Sequence, residues 1–150
     1  MRALVRRVSS ARVEVSNQSV GSIADGLLVY LGVHRDDETK DVDWTVTKML
    51  GLRIFEDSKG KMNESVNPRQ GILVISQFTL LGNLRKGFRP SFNHAAQTDK
   101  GRNFYEEFLA AVRGRFEGIV QTGIFGADMQ ITAVDDGPVT IWLDSRDRKY

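Results

Sequence analysis

The chain has 150 residues, two histidines, no cysteine and a formal net charge of +2. Without cysteine, disulfides and thiolate metal sites are excluded, and no run approaches the roughly 18 consecutive apolar residues of a membrane-spanning helix. An apolar fraction of 41% and a charged fraction of 27% suit one globular domain over residues 1–150, in which a nucleic-acid partner would have to be met by local cation clusters.

The start, Met1-Arg2-Ala3-Leu4-Val5-Arg6-Arg7, mixes charge with apolar residues too early for a signal peptide, so a cytoplasmic location is expected. Residues 2–8 and 11–15 read as strands; Val13 and Val15 alternate with Arg12 and Glu14, one face buried and one wet. Gly21 and Asp25-Gly26 mark turns, and Leu27 to Val33 is a strand buried on both faces. The period then changes. Val42, Val46, Met49 and Leu50 fall at i, i+4, i+7 and i+8, the stripe of an amphipathic helix. Asp41 and Asp43 favour its N-terminal end, and Gly51 ends it. Arg53-Ile54-Phe55 is a short strand, and Glu56 to Gln70 a loop or loose hairpin turning at Asp57-Ser58-Lys59-Gly60. Gly71 to Ile75 is a central strand that runs into Ser76-Gln77-Phe78-Thr79-Leu80.

A loop rich in Gly, Asn and cations covers Gly82 to His94. Tyr105, Leu109, Val112 and Phe116, widened by Phe104 and Phe108, form a second helical stripe. Met129, Ile131 and Ala133 alternate as a strand, and Val139 to Leu143 is the last one, with Gly137-Pro138 as the turn leading into it. Strands, helix, strands, helix, strands is not the regular alternation of a doubly wound sheet. The expected fold is α+β: mainly antiparallel sheet with two helices packed on one side.

The chemistry is narrowed first by exclusion. There is no phosphate-binding P-loop, no dinucleotide fingerprint and no Gly-x-Ser-x-Gly elbow. His34 and His94 lie far apart without metal-ligand spacing; both read as structural or surface residues, His94 being the better functional candidate because it sits in the polar loop. Two strings remain, Ser76-Gln77-Phe78-Thr79-Leu80 and Gly137-Pro138-Val139-Thr140, and neither contains an acid or a base. A strand leaving a sheet leaves N–H groups unpaired. Those of Gln77 and Phe78 would stabilise a developing oxyanion, and the Thr79 hydroxyl would position a substrate group or attack it. The plainer alternative is an ordinary strand end with Phe78 and Leu80 in the core.

An X-Pro bond takes the cis form at a cost of about 0.5–1 kcal/mol, and the preceding Gly137 accepts unusual backbone angles. Such a turn aims carbonyl groups where a strand cannot; the alternative is an ordinary turn. Arg85-Lys86-Gly87-Phe88-Arg89-Pro90-Ser91-Phe92 interleaves cations with rings, as suits phosphates plus a stacked base, or a loop anchored by two Phe residues. Arg2/Arg6/Arg7 and Arg146/Arg148/Lys149 are the other cation clusters, each also readable as a solvated face.

Together, the two strings resemble the D-aminoacyl-tRNA deacylases. The likeness extends to Met1 through Val8, to Lys86-Gly87-Phe88-Arg89-Pro90-Ser91-Phe92, to Phe125-Gly126-Ala127-Asp128-Met129 and to the length. It implies hydrolysis of the ester joining a D-amino acid to the 3′ end of tRNA, and removal of glycine mischarged on tRNA(Ala). It implies a homodimer with the active site near the interface, no metal or organic cofactor, and neither membrane nor DNA as partner. Ser76, Gln77, Phe78 and Thr79 then form the catalytic wall. Gly137 and Pro138, joined by a cis bond, enter the partner subunit's pocket and reject L-amino acids through main-chain contacts.

Thr79 matches a position considered as a nucleophile. In the preferred view the tRNA's own 2′-hydroxyl assists, supported by main-chain N–H groups of the Gln77-Phe78 region. Arg7, Lys86 and Arg89 are the candidate tRNA contacts, and Phe88 departs from the pattern at a position where a polar residue is expected. An aminoacyl ester is already activated, so positioning and an oxyanion site suffice without a histidine base. The alternatives are a non-catalytic tRNA-binding module and a hydrolase of another ester or amide.

Overall fold

The computed structural model describes residues 1–149. In chain order the elements are β1 (Arg2–Val15), β2 (Gln18–Ile23), β3 (Gly26–Gly32), α1 (Thr39–Leu50), β4 (Phe55–Glu56), β5 (Met62–Glu64), β6 (Gly71–Ser76), a 3₁₀ turn (Phe78–Leu81), α2 (Thr98–Arg113), β7 (Ile119–Thr122) and β8 (Gln130–Asp144). Among the described residues no helix is long and apolar enough to cross a membrane.

The main sheet runs β2-β1-β3-β6-β7, with β8 also paired to β1. Strand β1 is antiparallel to β2, β3 and β8, whereas β3–β6 and β6–β7 are parallel. The α+β class is as expected, but the sheet is mixed. Parallel neighbours need a long crossover, and the two crossovers here carry α1 and α2, which bring both helices to the same face.

Residues 2–8 and 11–15 belong to one strand, and so do 130–134 and 139–144. The polar Ser9-Ser10 pair marks where β1 exchanges β3 for β2 as its neighbour, so the chain changes partners without ending the strand. Period-two alternation divides each strand between two cores. Ala3, Val5, Leu27, Val29, Leu31, Ile72 and Val74 face the helices, meeting Val42, Val46, Met49, Phe108 and Val112. Val8, Ala11, Val13, Ile23, Leu28, Leu73 and Ile75 form a second core within the curled strands. Phe108 is fully buried; its truncation to Ala would cost about 3–5 kcal/mol.

Helix α1 starts where the Glu38 N–H donates to the Asp41 carboxylate at 3.0 Å, and Gly51 closes it. Strands β4 and β5 form the loose hairpin, in which the Asp57 carboxylate accepts the N–H groups of Lys59 and Lys61. The N-terminal arginines are taken up by carboxylates near or on β8: Arg2 with Asp144 at 2.8 Å, Arg6 with Asp135 at 2.7 Å and Arg7 with Asp136 at 2.8 Å. The hydrogen bond that Arg6 donates to Asp135, more than any other contact, raises the Arg6 pKa.

Candidate active site

Strand β6 ends at Ser76, where the chain leaves the sheet. Gln77 still donates its N–H to the Leu31 carbonyl at 2.7 Å, as a last rung on β3. The chain then tightens into the 3₁₀ turn, anchored by the buried Leu81, with Leu80 N–H bonded to the Gln77 carbonyl at 3.3 Å. The first N–H groups of such a turn have no acceptor within it. Among the described residues the free main-chain donors of this segment are therefore those of Phe78 and Thr79; the expectation that Gln77 supplies one is corrected by its bond to Leu31. The Gln77 side-chain amide donates to the Thr79 hydroxyl, which orients that hydroxyl from its own segment.

Beside this turn lies an open cleft of about 710 Å³. Ser76, Gln77 and Phe78 form one wall, Phe125 to Met129 the other, and Thr98, Gly101 and Tyr105 of α2 close the end. Phe78 is 57% exposed, not a core residue, and meets Phe92 edge-on with centroids 5.0 Å apart. Tyr105 donates to the Val74 carbonyl at 2.9 Å, and burial pushes its phenol pKa far up, so it does not serve as a base. No histidine lines the cleft, and Asp128 is its only carboxylate among the described residues. The chemistry on offer is main-chain N–H, hydroxyl, amide and the one carboxylate of Asp128. No group of three or more metal-ligating side chains occurs among the described residues.

Residues 125–129, part of the family likeness, form the opposite wall of the cleft. Their placement as a wall needed the parallel β6–β7 pairing, which brings Gly123 N–H to the Val74 carbonyl at 3.1 Å. Gly126 at φ +78° lets the chain reverse there.

Gly137-Pro138 is a cis peptide within β8, not a turn between two strands. Arg6 pairs with Thr140 and Val8 with Asp135, so residues 136–139 stand opposite Arg7 alone and bulge outward. Both Gly137 and Pro138 are exposed, and neither lines the cleft of its own chain. Gly137 has φ +115°, and a Cβ there would meet Val139 Cγ2 at 2.8 Å and Arg7 Nη2 at 3.2 Å.

Arg7, considered above as a tRNA contact, is only 6% exposed. It donates to the Ile54 carbonyl and lies against Asp136, so it supports the bulge from beneath and does not face solvent. Lys86 and Arg89 are exposed on the 82–94 loop, whose base is closed by the Asn83–Ser91 bridge. They stand outside the cleft, while Phe92 of the same loop lines it. The two histidines, distant in sequence, stack with centroids 5.6 Å apart.

Comparison with known proteins agrees with this geometry. The family model described as D-Tyr-tRNA(Tyr) deacylase matches residues 4–144. A Kosmotoga olearia protein named D-aminoacyl-tRNA deacylase is 52% identical over 97% of this chain and 98% of its own. A Geobacter sulfurreducens protein of the same name is 52% identical over 99% and 97%. Among solved structures, the c-Myc DNA Unwinding Element Binding Protein superposes with a TM-score of 0.91 at 39% identity, covering 96% of this chain and 98% of that one. A probable eukaryotic D-amino acid tRNA deacylase shares the fold, with a TM-score of 0.76 at 21% identity over 95% and 97%. The chain belongs to the D-Tyr-tRNA(Tyr) deacylase family, hydrolases that act on aminoacyl-tRNA esters.

Proposed function

We propose that this protein hydrolyses the ester of D-aminoacyl-tRNA, releasing the D-amino acid and tRNA, and that it also clears glycine mischarged on tRNA(Ala). The observation that carries the reading is a cleft walled by a strand end whose Phe78 and Thr79 N–H groups open a 3₁₀ turn, with no histidine in reach. Water attacks the ester carbonyl, the oxyanion accepts from those N–H groups, and the 3′-oxygen leaves with a proton. One such donor contributes roughly 3 kcal/mol in a dry site. The tRNA's 2′-hydroxyl, adjacent to the ester, assists the proton transfer.

Chirality is read across a homodimer. Gly137-Pro138 is exposed and remote from its own cleft lining, as befits a segment that completes a second subunit's site. Strand β8 is a long sheet edge, with Val134 and Trp142 54% and 40% exposed on it, and an open edge of that kind favours a partner. Carbonyls of the bulge bind the ammonium of a D-amino acid, whereas an L side chain would collide with its backbone. Glycine has no side chain and escapes the rejection. The enzyme works in the cytoplasm on charged tRNA, with Lys86 and Arg89 near the RNA.

The test is hydrolysis of matched D- and L-tyrosyl-tRNA, with a chelator present. Loss of the D-ester alone is expected. Binding of tRNA without turnover of either ester would replace this reading with that of a non-catalytic tRNA-binding module.

A further inference from the structure

At the far end of the 3₁₀ turn lies a second cavity of about 400 Å³. Arg2, His34, Asn83, Arg85, His94 and Arg146 line it, with Asp144 as its one carboxylate among the described residues. We propose that this cavity holds a backbone phosphate of the RNA substrate, which makes it a second anchor for the strand whose 3′ end occupies the cleft. The inference rests on the deacylase reading and adds a site to it.

The charge balance favours an anion, with three arginines against one aspartate. Asp144 is committed, since its carboxylate accepts from Arg2 Nε at 2.8 Å and from the Arg146 N–H at 3.0 Å. Arg2 is fixed, its Nη1 donating to the Leu80 carbonyl at 2.8 Å, which ties the cavity to the turn that bears the oxyanion donors. The other two cations are available. The Arg85 guanidinium has no partner among the described residues, and its main-chain N–H is held by the Asn83 side chain at 2.9 Å. Among the described residues the Arg146 guanidinium makes only a 3.4 Å bond to the Asp36 carbonyl and a 3.9 Å approach to the Asp36 carboxylate.

The imidazoles add ring N–H donors. His34 Nδ1 accepts the Asp36 N–H at 3.1 Å, which leaves the ring proton on Nε2. Burial, and then Arg146, lower the His34 pKa, which favours the neutral ring. His94 Nε2 lies 3.3 Å from the Asn83 side-chain nitrogen. Movable guanidinium forks around fixed N–H donors suit a tetrahedral oxyanion better than an apolar or cationic ligand. Most contacts to a nucleic-acid strand go to its phosphates, and the cavity shares both the turn and the 82–94 loop with the ester cleft.

The experiment compares D-tyrosyl-tRNA with D-tyrosyl-adenosine, which carries the ester but no phosphate. Arg85→Ser combined with Arg146→Gln removes two exposed side chains that have little role in folding. The double variant should raise KM for the tRNA ester about tenfold with kcat unchanged, and leave the adenosine ester untouched. Its log–log salt dependence should flatten by about 0.7 per lost phosphate contact. Equal effects on both esters, or none on the tRNA ester, would overturn the assignment. If the tRNA KM is unmoved while inorganic phosphate binding, measured by calorimetry, is lost, the cavity is a free-anion site and the RNA assignment fails. Absence of turnover in the unmodified protein would defeat the deacylase reading instead. The cavity would then be judged by gel shift with uncharged tRNA, where the double variant must weaken binding about tenfold and an unchanged affinity would overturn it.

Discussion

Strand β6 stops after Ser76 and tightens into a 3₁₀ turn, whereas β8 runs past an unpaired stretch at 136–139 and rejoins β1 at Thr140. Both depart from a regular ladder, and they expose opposite surfaces. The β6 exit presents N–H donors, since Phe78 and Thr79 begin a turn that has no acceptor for them. The β8 bulge presents the reverse: Gly137 has no Cβ and Pro138 no N–H, so carbonyls and bare backbone remain. Their supports differ as well. The first is held by Gln77 N–H on Leu31 and by the buried Leu81, the second by a buried arginine underneath. A donor surface suits developing negative charge, and a backbone wall suits steric choice between mirror images.

The largest effect should come from Phe78→Pro. Proline is tolerated at the first position of a helical turn and, besides the Phe78 ring, removes a donor that lacks an intrahelical acceptor. Single-turnover hydrolysis of D-tyrosyl-tRNA should slow by about a hundredfold to a thousandfold. Phe78→Ala, which keeps the N–H, should lose much less; equal losses would show that the ring matters and not the donor.

Arg7→Met strikes the support of the other region. The Ile54 carbonyl loses its partner, at a cost of about 1–3 kcal/mol, to be read as a lower melting temperature. Unchanged stability would mean that the bulge needs no support from below.

Gly137→Ala forces a side chain into a positive-φ position against Val139 and Arg7. Strain of about 1–3 kcal/mol should displace the wall and reduce the D-over-L rate ratio about tenfold. A folded variant with full discrimination would remove Gly137 from chiral selection.

Thr79→Ala should have the smallest effect, with kcat within about fivefold of the unmodified protein, because the hydroxyl is bonded to Gln77 and faces no base. Complete loss in a folded variant would restore the hydroxyl as a nucleophile.

Much of the fold could be read from local pattern. The helical stripe at Val42, Val46 and Met49, its stop at Gly51, and the all-apolar run Leu27–Leu31 record burial in their own spacing. Continuity of β1 and β8 could not, because Ser9-Ser10 and Gly137-Pro138 look like breaks until a neighbouring strand bonds across them. The site divides similarly. Ser76 to Thr79 and Gly137-Pro138 stood out as strings, yet nothing near Gln77 indicated that its N–H would find Leu31, nor anything near Arg7 that it would turn inward to Ile54. The stacking of His34 on His94 depends on Ala96 N–H reaching the Val33 carbonyl at 2.9 Å, a bond between distant segments.

By itself, then, the sequence determined the two amphipathic stripes, the stop of the first at Gly51 and the two unusual strings, because those depend on spacing and on the chemistry of residues a few positions apart. Tertiary structure decided which donors stay free, which arginine is buried, how the two crossovers make parallel neighbours, and where a second cavity meets the turn. Each of these turns on a hydrogen-bond acceptor or a carboxylate supplied from elsewhere in the chain, and chain closure, not local preference, brings them together.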